Sequence, residues 1–253
     1  MKINLILSFF VLFSLGSCQR EEMKNENPNN INLSEFNNKW KDAGLDVSML
    51  KSKQKITSYL FSDKAVLNLL RNPEAYGFRV VLGLTNGKLD TKLQCVKRNG
   101  VNLGIINPMV YCDRSFNDVI NELENSNLEF SSSNNIAAMH LLQPAAAYGY
   151  LNRWNTELSE NDNETLLEIV SYDNERIRYF NLKKEIVQEI TAFEGFKYFG
   201  VFFGINPSGK LTTVMMGLNK DKKIILPSLP QGTNPNSSGA IYDFSQPCPS
   251  TCD

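Results

Sequence analysis

The sequence predicts an α+β protein made of two related helix–helix–β-hairpin repeats, with helices packed on an antiparallel sheet. Three observations predict it. Apolar residues alternate along Phe78, Val80, Leu82 and Leu84, the period of a strand with one buried face. Asn86-Gly87 follows directly, a dipeptide whose tolerance of positive φ suits a two-residue hairpin turn. Finally, Tyr76–Leu84 has an ungapped counterpart 121 residues later in Lys197–Ile205, each with a glycine at the same place, Gly83 and Gly204.

The chain opens on an export signal spanning residues 1–17. Met1-Lys2 supplies a positive end, Ile3–Phe13 is an apolar run broken only by Asn4 and Ser8, and Leu15-Gly16-Ser17 leads into Cys18. The run is too short to span a bilayer as a helix, and its small residues suit a cleavage site. Leu-Gly-Ser-Cys resembles the lipobox of bacterial lipoproteins, which implies lipidation at Cys18 and a mature chain starting there. One acyl chain holds a protein marginally, but each buried methylene contributes about 0.8 kcal/mol, so two or three chains anchor it firmly. Gln19-Arg20-Glu21-Glu22 resembles the short acidic export tag of surface-displayed flavobacterial lipoproteins. The expected location is the outer membrane, lipid-anchored and facing outward, with its periplasmic face as the alternative. Residues 18–31 are polar and aperiodic and read as a flexible tether.

The first repeat is placed at 32–113. Asn32 with Glu35 forms a capping box for a helix whose apolar face includes Phe36 and Trp40. Ser62 or Asp63 caps a second helix carrying Val66, Leu69 and Leu70, closed by Pro73. The hairpin then returns through Leu89, Thr91, Leu93 and Cys95 on one face. A helical connection is placed at 114–144, with Ser115 and Asp118 opening one short helix and Asn134–Leu142 forming another. The second repeat, 145–253, starts with a helix over Ala145–Leu158, where Tyr150 and Trp154 repeat the aromatic-x3-Trp spacing of Phe36 and Trp40. Upstream of its hairpin, Ile177, Leu182, Val187 and Ile190 match Ile56, Phe61, Val66 and Leu69. Strands 199–205 and 211–218 are apolar on both sides, which implies a central position covered on both faces.

The paired Gly-Lys-Leu turns, Gly87-Lys88-Leu89 and Gly209-Lys210-Leu211, and the tail Gln246-Pro247-Cys248-Pro249-Ser250-Thr251-Cys252 are similar to motifs of uncharacterised Bacteroidetes lipoproteins. The resemblance implies a location and a shape and transfers no activity.

Composition excludes several classes. Lys plus Arg number 26 against 27 Asp plus Glu, so no basic footprint for nucleic acid is present. A single histidine, His140, excludes multi-histidine metal centres. Gly204–Thr212 nearly spells a phosphate loop, but Leu211 stands where Mg²⁺ binding needs Ser or Thr, and the next residues read as a strand, so no nucleotide is expected. Glu160–Glu164 lacks the glycine and distal glutamate of a calcium loop and reads as a helix cap. His140 sits in an apolar stretch with no nucleophile motif in view, and reads as a packing residue.

Besides Cys18 there remain Cys95, Cys112, Cys248 and Cys252, four thiols with three connectivities in an oxidising compartment. Cys248 with Cys252 is the candidate local bridge, and Cys95 with Cys112 the matching pair. Only one close pair exists, so the thiols read as disulfides or free cysteines rather than a metal site. The strand glycines Gly83 and Gly204 mark a close backbone approach. No catalytic residue, metal or cofactor is assigned. The expected function is a non-catalytic binding or envelope-structural lipoprotein with an envelope protein or glycan partner. The alternative is an envelope hydrolase using carboxylates, such as Glu185 and Glu189 at i,i+4 spacing.

Overall fold

Helix α1 (Leu33–Asp42) begins where Asn32 accepts a hydrogen bond from the Glu35 N–H at 3.1 Å, half of the expected capping box. The computed structural model describes residues 32–50, 58–111, 120–121, 123–126, 140–160, 162–226, 241–243 and 246–248. The export signal, the tether, Cys18, Cys112 and Cys252 lie outside them. After α2 (Val47–Leu50) come β1 (Ser58–Ser62) and α3 (Asp63–Leu70), the latter capped by the Ser62 hydroxyl. Four strands follow: β2 (Gly77–Thr85), β3 (Lys88–Val96), β4 (Asn102–Ile106) and β5 (Met109–Tyr111). Asn86 and Gly87 have φ of 51° and 71°, the paired positive values of the tight turn expected between β2 and β3.

Helix α4 (Pro144–Glu160) starts on its proline, where the missing N–H costs nothing. Asp162 caps α5 (Asn163–Ile169) by accepting from the Thr165 N–H at 2.9 Å, as its rejection as a calcium loop implied. A small hairpin of β6 (Ser171–Tyr172) and β7 (Glu175–Arg176) leads to β8 (Tyr179–Lys183) and α6 (Lys184–Thr191). Then come β9 (Tyr198–Ile205), β10 (Leu211–Leu218), β11 (Ile241–Asp243) and β12 (Gln246–Cys248). No helix among the described residues is long and apolar enough to cross a membrane.

The α+β class holds, but one sheet becomes two. Sheet I runs β11-β10-β9-β1-β5 and sheet II runs β12-β8-β2-β3-β4, with every pairing antiparallel. The two long hairpins therefore lie in different sheets, because each has an apolar inner face to bury and the faces bury one another. From sheet I come Tyr59, Phe61, Phe199, Val201, Phe203 and Met215; from sheet II come Phe78, Val80, Leu82, Leu93 and Phe180, all in one core. The Tyr59 hydroxyl crosses this core to donate to the Leu89 carbonyl at 2.9 Å. Each large side chain buried there contributes about 1.5–3 kcal/mol.

A second core lies on the outward face of sheet I, where Leu60, Phe202, Val214, Met216 and Ile241 meet Ala147 and Leu151 of α4, with Ile120 and Leu123. Strands β9 and β10 are thus covered on both faces, as their unbroken apolar runs predicted. The strand glycines have the expected cause. A Cβ on Gly83 would lie 2.3 Å from ring carbons of Phe36, and one on Gly204 would lie 2.9 Å from the Cβ of Tyr150. Each hairpin therefore gives up a side chain where the aromatic residue of its helix rests on the strand.

Helix α1 is fastened to the chain entering β8. Trp40 Nε1 donates to the Ile177 carbonyl at 2.7 Å, and Asn37 Nδ2 donates to the carbonyls of Leu82 and Arg178 at 2.8 and 2.9 Å. The Arg176 guanidinium lies 4.6 Å over the Trp40 ring and donates to the carbonyls of Trp40 and Ala43. Those carbonyls belong to the helix end and lack partners within the helix, so Arg176 serves as a C-terminal cap.

The expected helix Asn134–Leu142 is corrected at its end: residues 134–139 lie outside the described residues, while His140 is in a 3₁₀ turn and Leu141 forms an isolated bridge with Tyr242. The Leu142 N–H donates to the Ile241 carbonyl at 2.9 Å. Pairing with the edge of sheet I supplies the backbone partners a helix would have supplied, and sends Leu141 and Leu142 into the cores. The helix opened by Ser115 starts outside the described residues; 120–121 and 123–124 are helical.

Candidate functional site

Sheet II differs from sheet I on its outward face. Residues opposite each other in an antiparallel ladder share a face. In β3 the inward set is Leu89, Thr91, Leu93 and Cys95, so Lys92 and Gln94 face out. The register pairs Gln94 with Arg79 on β2, and Arg79 with Asn181 on β8. A transverse polar row, Asn181–Arg79–Gln94, therefore crosses three adjacent strands. The next row holds Tyr179, Val81 and Lys92 by the same pairings.

Arg79 is engaged by its neighbours. Its Nε donates to Asn181 Oδ1 at 3.1 Å, and its guanidinium carbon lies 4.6 Å from the Tyr179 ring centroid. Lys92 Nζ donates to Asn107 Oδ1 at 2.5 Å and sits 4.7 Å over the Phe36 ring. Gln94 is 8% exposed, and its amide is not among the buried polar groups left without a partner among the described residues. Asp90, across from Gly83 on β2, accepts from the Thr85 hydroxyl at 2.7 Å.

Several other titratable groups are engaged in the fold. Tyr242, 1% exposed, donates to Glu189 Oε2 at 2.6 Å; burial first, and the carboxylate second, push its phenol far up. Glu185 is exposed, and Glu189, one turn on along α6, accepts from Tyr242. Asp243 accepts from the Thr212 hydroxyl at 2.6 Å. His140 is held below its usual pKa by burial and then by the charge of Lys183, opposed by a hydrogen bond with the Asp243 backbone. Among the described residues no group of three or more His, Cys, Asp or Glu side chains could hold a metal. A shallow open depression on the outer side of α1, lined by Glu35, Asn38, Lys39 and Asp42, offers no enclosed site.

The cysteine expectations divide. Cys95 is a free, fully buried thiol pushed up to about 11 by burial, so its pairing with Cys112 is corrected: Cys95 points into the apolar space between the sheets. Cys248 is buried and disulfide-bonded, with its partner outside the described residues, and Arg178 Nη2 donates to its sulfur at 3.0 Å.

Arg79, Gln94 and Asn181 were missed as site residues in the sequence. The available signal was the outward half of each alternation: Arg79 and Gln94 interrupt strands whose second-repeat counterparts are apolar on both sides. No family model, curated protein or solved structure matches the chain.

Proposed function

We propose that this chain is an outer-membrane lipoprotein, anchored through Cys18 and facing outward, whose body is a non-catalytic binding module with sheet II's outward face as its binding surface. The anchor rests on Leu15-Gly16-Ser17-Cys18 and the polar tether behind it. The binding role rests on one observation: the polar row Asn181–Arg79–Gln94 across β8, β2 and β3, with Arg79 held by Asn181.

The body reads further as an internal duplication whose halves exchange a strand. What supports this is register. Moving the β1–β9 pairs along by 121 residues on each strand turns Ser58↔Phe202 into Tyr179↔Val81 and Ser62↔Tyr198 into Lys183↔Gly77, which are pairs of β8 with β2. Likewise Leu60↔Met109 in sheet I has Asn181↔Gln246 in the same place in sheet II. Each half then lends its first strand, β1 or β8, to the other half's hairpin.

The duplication gives the polar row a built-in comparison. The counterparts of Asn181, Arg79 and Gln94 are Leu60, Gly200 and Met216 in sheet I, and α4 covers that face. Sheet II also carries helix packing on its outward face, where Phe36 of α1 lies over Gly83, but the polar row stands there in place of apolar residues.

Fractionation tests the anchor. Cys18→Ala is expected to leave the membrane fraction and escape lipid processing; a variant that stays membrane-bound and fully processed overturns the reading. Protease treatment of intact cells is expected to remove the body, whereas full protection behind an intact outer membrane moves it to the periplasmic face.

A further inference from the structure

We propose that one end of the two-sheet body docks on an anionic membrane surface, with Tyr76 and Val101 entering the headgroup layer and Arg71 and Arg98 meeting lipid phosphates. The proposal goes beyond the lipid anchor and uses none of the polar row on sheet II.

Local contacts assemble this end. The turn 97–101 after β3 lies against the loop that follows α3: the Tyr76 N–H donates to the Val96 carbonyl at 2.9 Å, and Lys97 Nζ meets Glu74 Oε1 at 2.6 Å. The second hairpin repeats the arrangement. The Lys197 N–H donates to the Leu218 carbonyl at 2.8 Å, and the turn 219–223 closes as 97–101 does, its first N–H donating to its fifth carbonyl at 2.9 Å in both. Gly100 and Lys222 take the same place in the two turns, with φ of 78° and 60°. Helix α3 packs against α6, and Lys197 pairs at 2.8 Å with Asp63 at the start of α3, so both turns stand at one end of the body.

What the end shows to solvent sets the partner. Tyr76 is 58% and Val101 49% exposed, the two highest values among the large apolar side chains of the described residues. The exposed Arg98 has its guanidinium carbon 5.7 Å from the Tyr76 ring centroid. An apolar ring with a polar tip and a cation beside it suits the layer between hydrocarbon and water. Segments 71–76 and 97–101 carry three cations against Glu74, and their counterparts 192–197 and 219–223 carry four lysines against Glu194 and Asp221. These segments thus hold a surplus of four positive charges on a chain whose formal charge is −1. Apolar tips ringed by cations match a phosphate-bearing lipid surface, where each basic residue is worth about a factor of 5 in binding. Helix α1, which the tether enters, packs near the other end of β2 at Gly83. The residues 18–31 can reach at most ~50 Å, more than the ~30 Å length of a nine-residue strand, so the anchor allows this end to meet the same bilayer.

The test is co-sedimentation of the mature chain, starting at Cys18 and prepared without its lipid so that the anchor cannot carry the binding. Vesicles of equal parts phosphatidylglycerol and phosphatidylcholine are compared with phosphatidylcholine alone. Duplex DNA and excess inorganic phosphate serve as competitors at matched ionic strength. Binding to the anionic vesicles alone is expected, weakened by salt and retained against both competitors. Arg71→Gln combined with Arg98→Gln should weaken it ~25-fold. Tyr76→Ser should weaken it ~3-fold or more with the melting temperature unchanged, because the side chain is exposed. Lys41→Gln, an exposed position on α1 away from this end, should bind like the parent chain. No binding, equal binding to neutral vesicles, displacement by DNA or phosphate, or an equal loss in Lys41→Gln each overturns the proposal. The anchor is judged separately by Cys18→Ala fractionation, and neither result bears on the face of sheet II.

Discussion

Replacing Gly83 with alanine places a methyl carbon 2.3–2.4 Å from Cδ1, Cε1 and Cγ of Phe36, well inside van der Waals contact. The clash reaches Cγ, so a small ring rotation cannot clear it, and either Phe36 leaves its rotamer or α1 lifts from β2. Overpacking of this kind costs about 1–3 kcal/mol. At about 2–4 °C per kcal/mol for a chain of this size, Gly83→Ala should lower the melting temperature by roughly 2–12 °C. Gly204→Ala meets a different obstacle, since its nearest atoms are Tyr150 Cβ, C and O at 2.9, 3.2 and 3.3 Å. Alanine at 150 keeps all three atoms. Double-mutant cycles should therefore separate the two sites. Phe36→Ala removes the ring that clashes, so Gly83→Ala with Phe36→Ala should be less destabilising than the sum by about 1–3 kcal/mol. Gly204→Ala with Tyr150→Ala should be additive to about 0.5 kcal/mol. Urea unfolding followed by tryptophan fluorescence suits both, because the chain's two tryptophans, Trp40 and Trp154, each lie one helical turn from one site. Additivity at Gly83 with Phe36 would refute the idea that the Phe36 ring is why β2 carries glycine, and coupling above about 1 kcal/mol at Gly204 with Tyr150 would refute the idea that the backbone and Cβ of Tyr150, not its ring, exclude a side chain from β9.

Three further outcomes are expected. Thr91 and Thr213 face the core from β3 and β10 with buried hydroxyls that find no hydrogen-bond partner, so Thr91→Val and Thr213→Val should each raise stability by about 1 kcal/mol in urea titrations. Trp40→Phe removes the 2.7 Å bond to Ile177 and most of the ring beneath Arg176, and should cost about 1–3 kcal/mol by the same measurement. Cys95 titrates near 11 folded against 9.0 for a free thiol, so between those values the folded state keeps a proton the unfolded state has released. Stability should then fall as pH rises from about 9 to 11, by at most about 1.4 kcal/mol per unit, and Cys95→Ala should remove that part of the slope.

The parts of the fold legible in the sequence were those set by neighbours along the chain. Caps at Asn32, Ser62 and Asp162 and the Asn86-Gly87 turn each depend on local residue preferences. Alternation correctly assigned Phe78 to Leu84 and Leu89 to Cys95 to buried faces. The division into two sheets was not legible. It depends on β1 pairing with β9 and β8 with β2, contacts between residues more than 100 positions apart, for which alternation gives the face and not the partner. The same limit explains His140–Leu142, whose apolar run suits a helix until an edge strand offers its backbone.

The candidate site was hidden for a related reason. Arg79, Gln94 and Asn181 are ordinary outward residues taken one strand at a time, and three separated positions form a row only once the register is known. Outward polarity alone would also be uninformative, since most sheets with one solvated face have it. What changes the weight is the comparison between the two halves. On the proposed duplication, Leu60 and Met216 stand in sheet I where Asn181 and Gln94 stand in sheet II, and both pack into the core beneath α4. The polar row is therefore a departure of one half from the other and not a requirement of the shared fold, and Arg79, bonded to Asn181 and lying over Tyr179, is its centre.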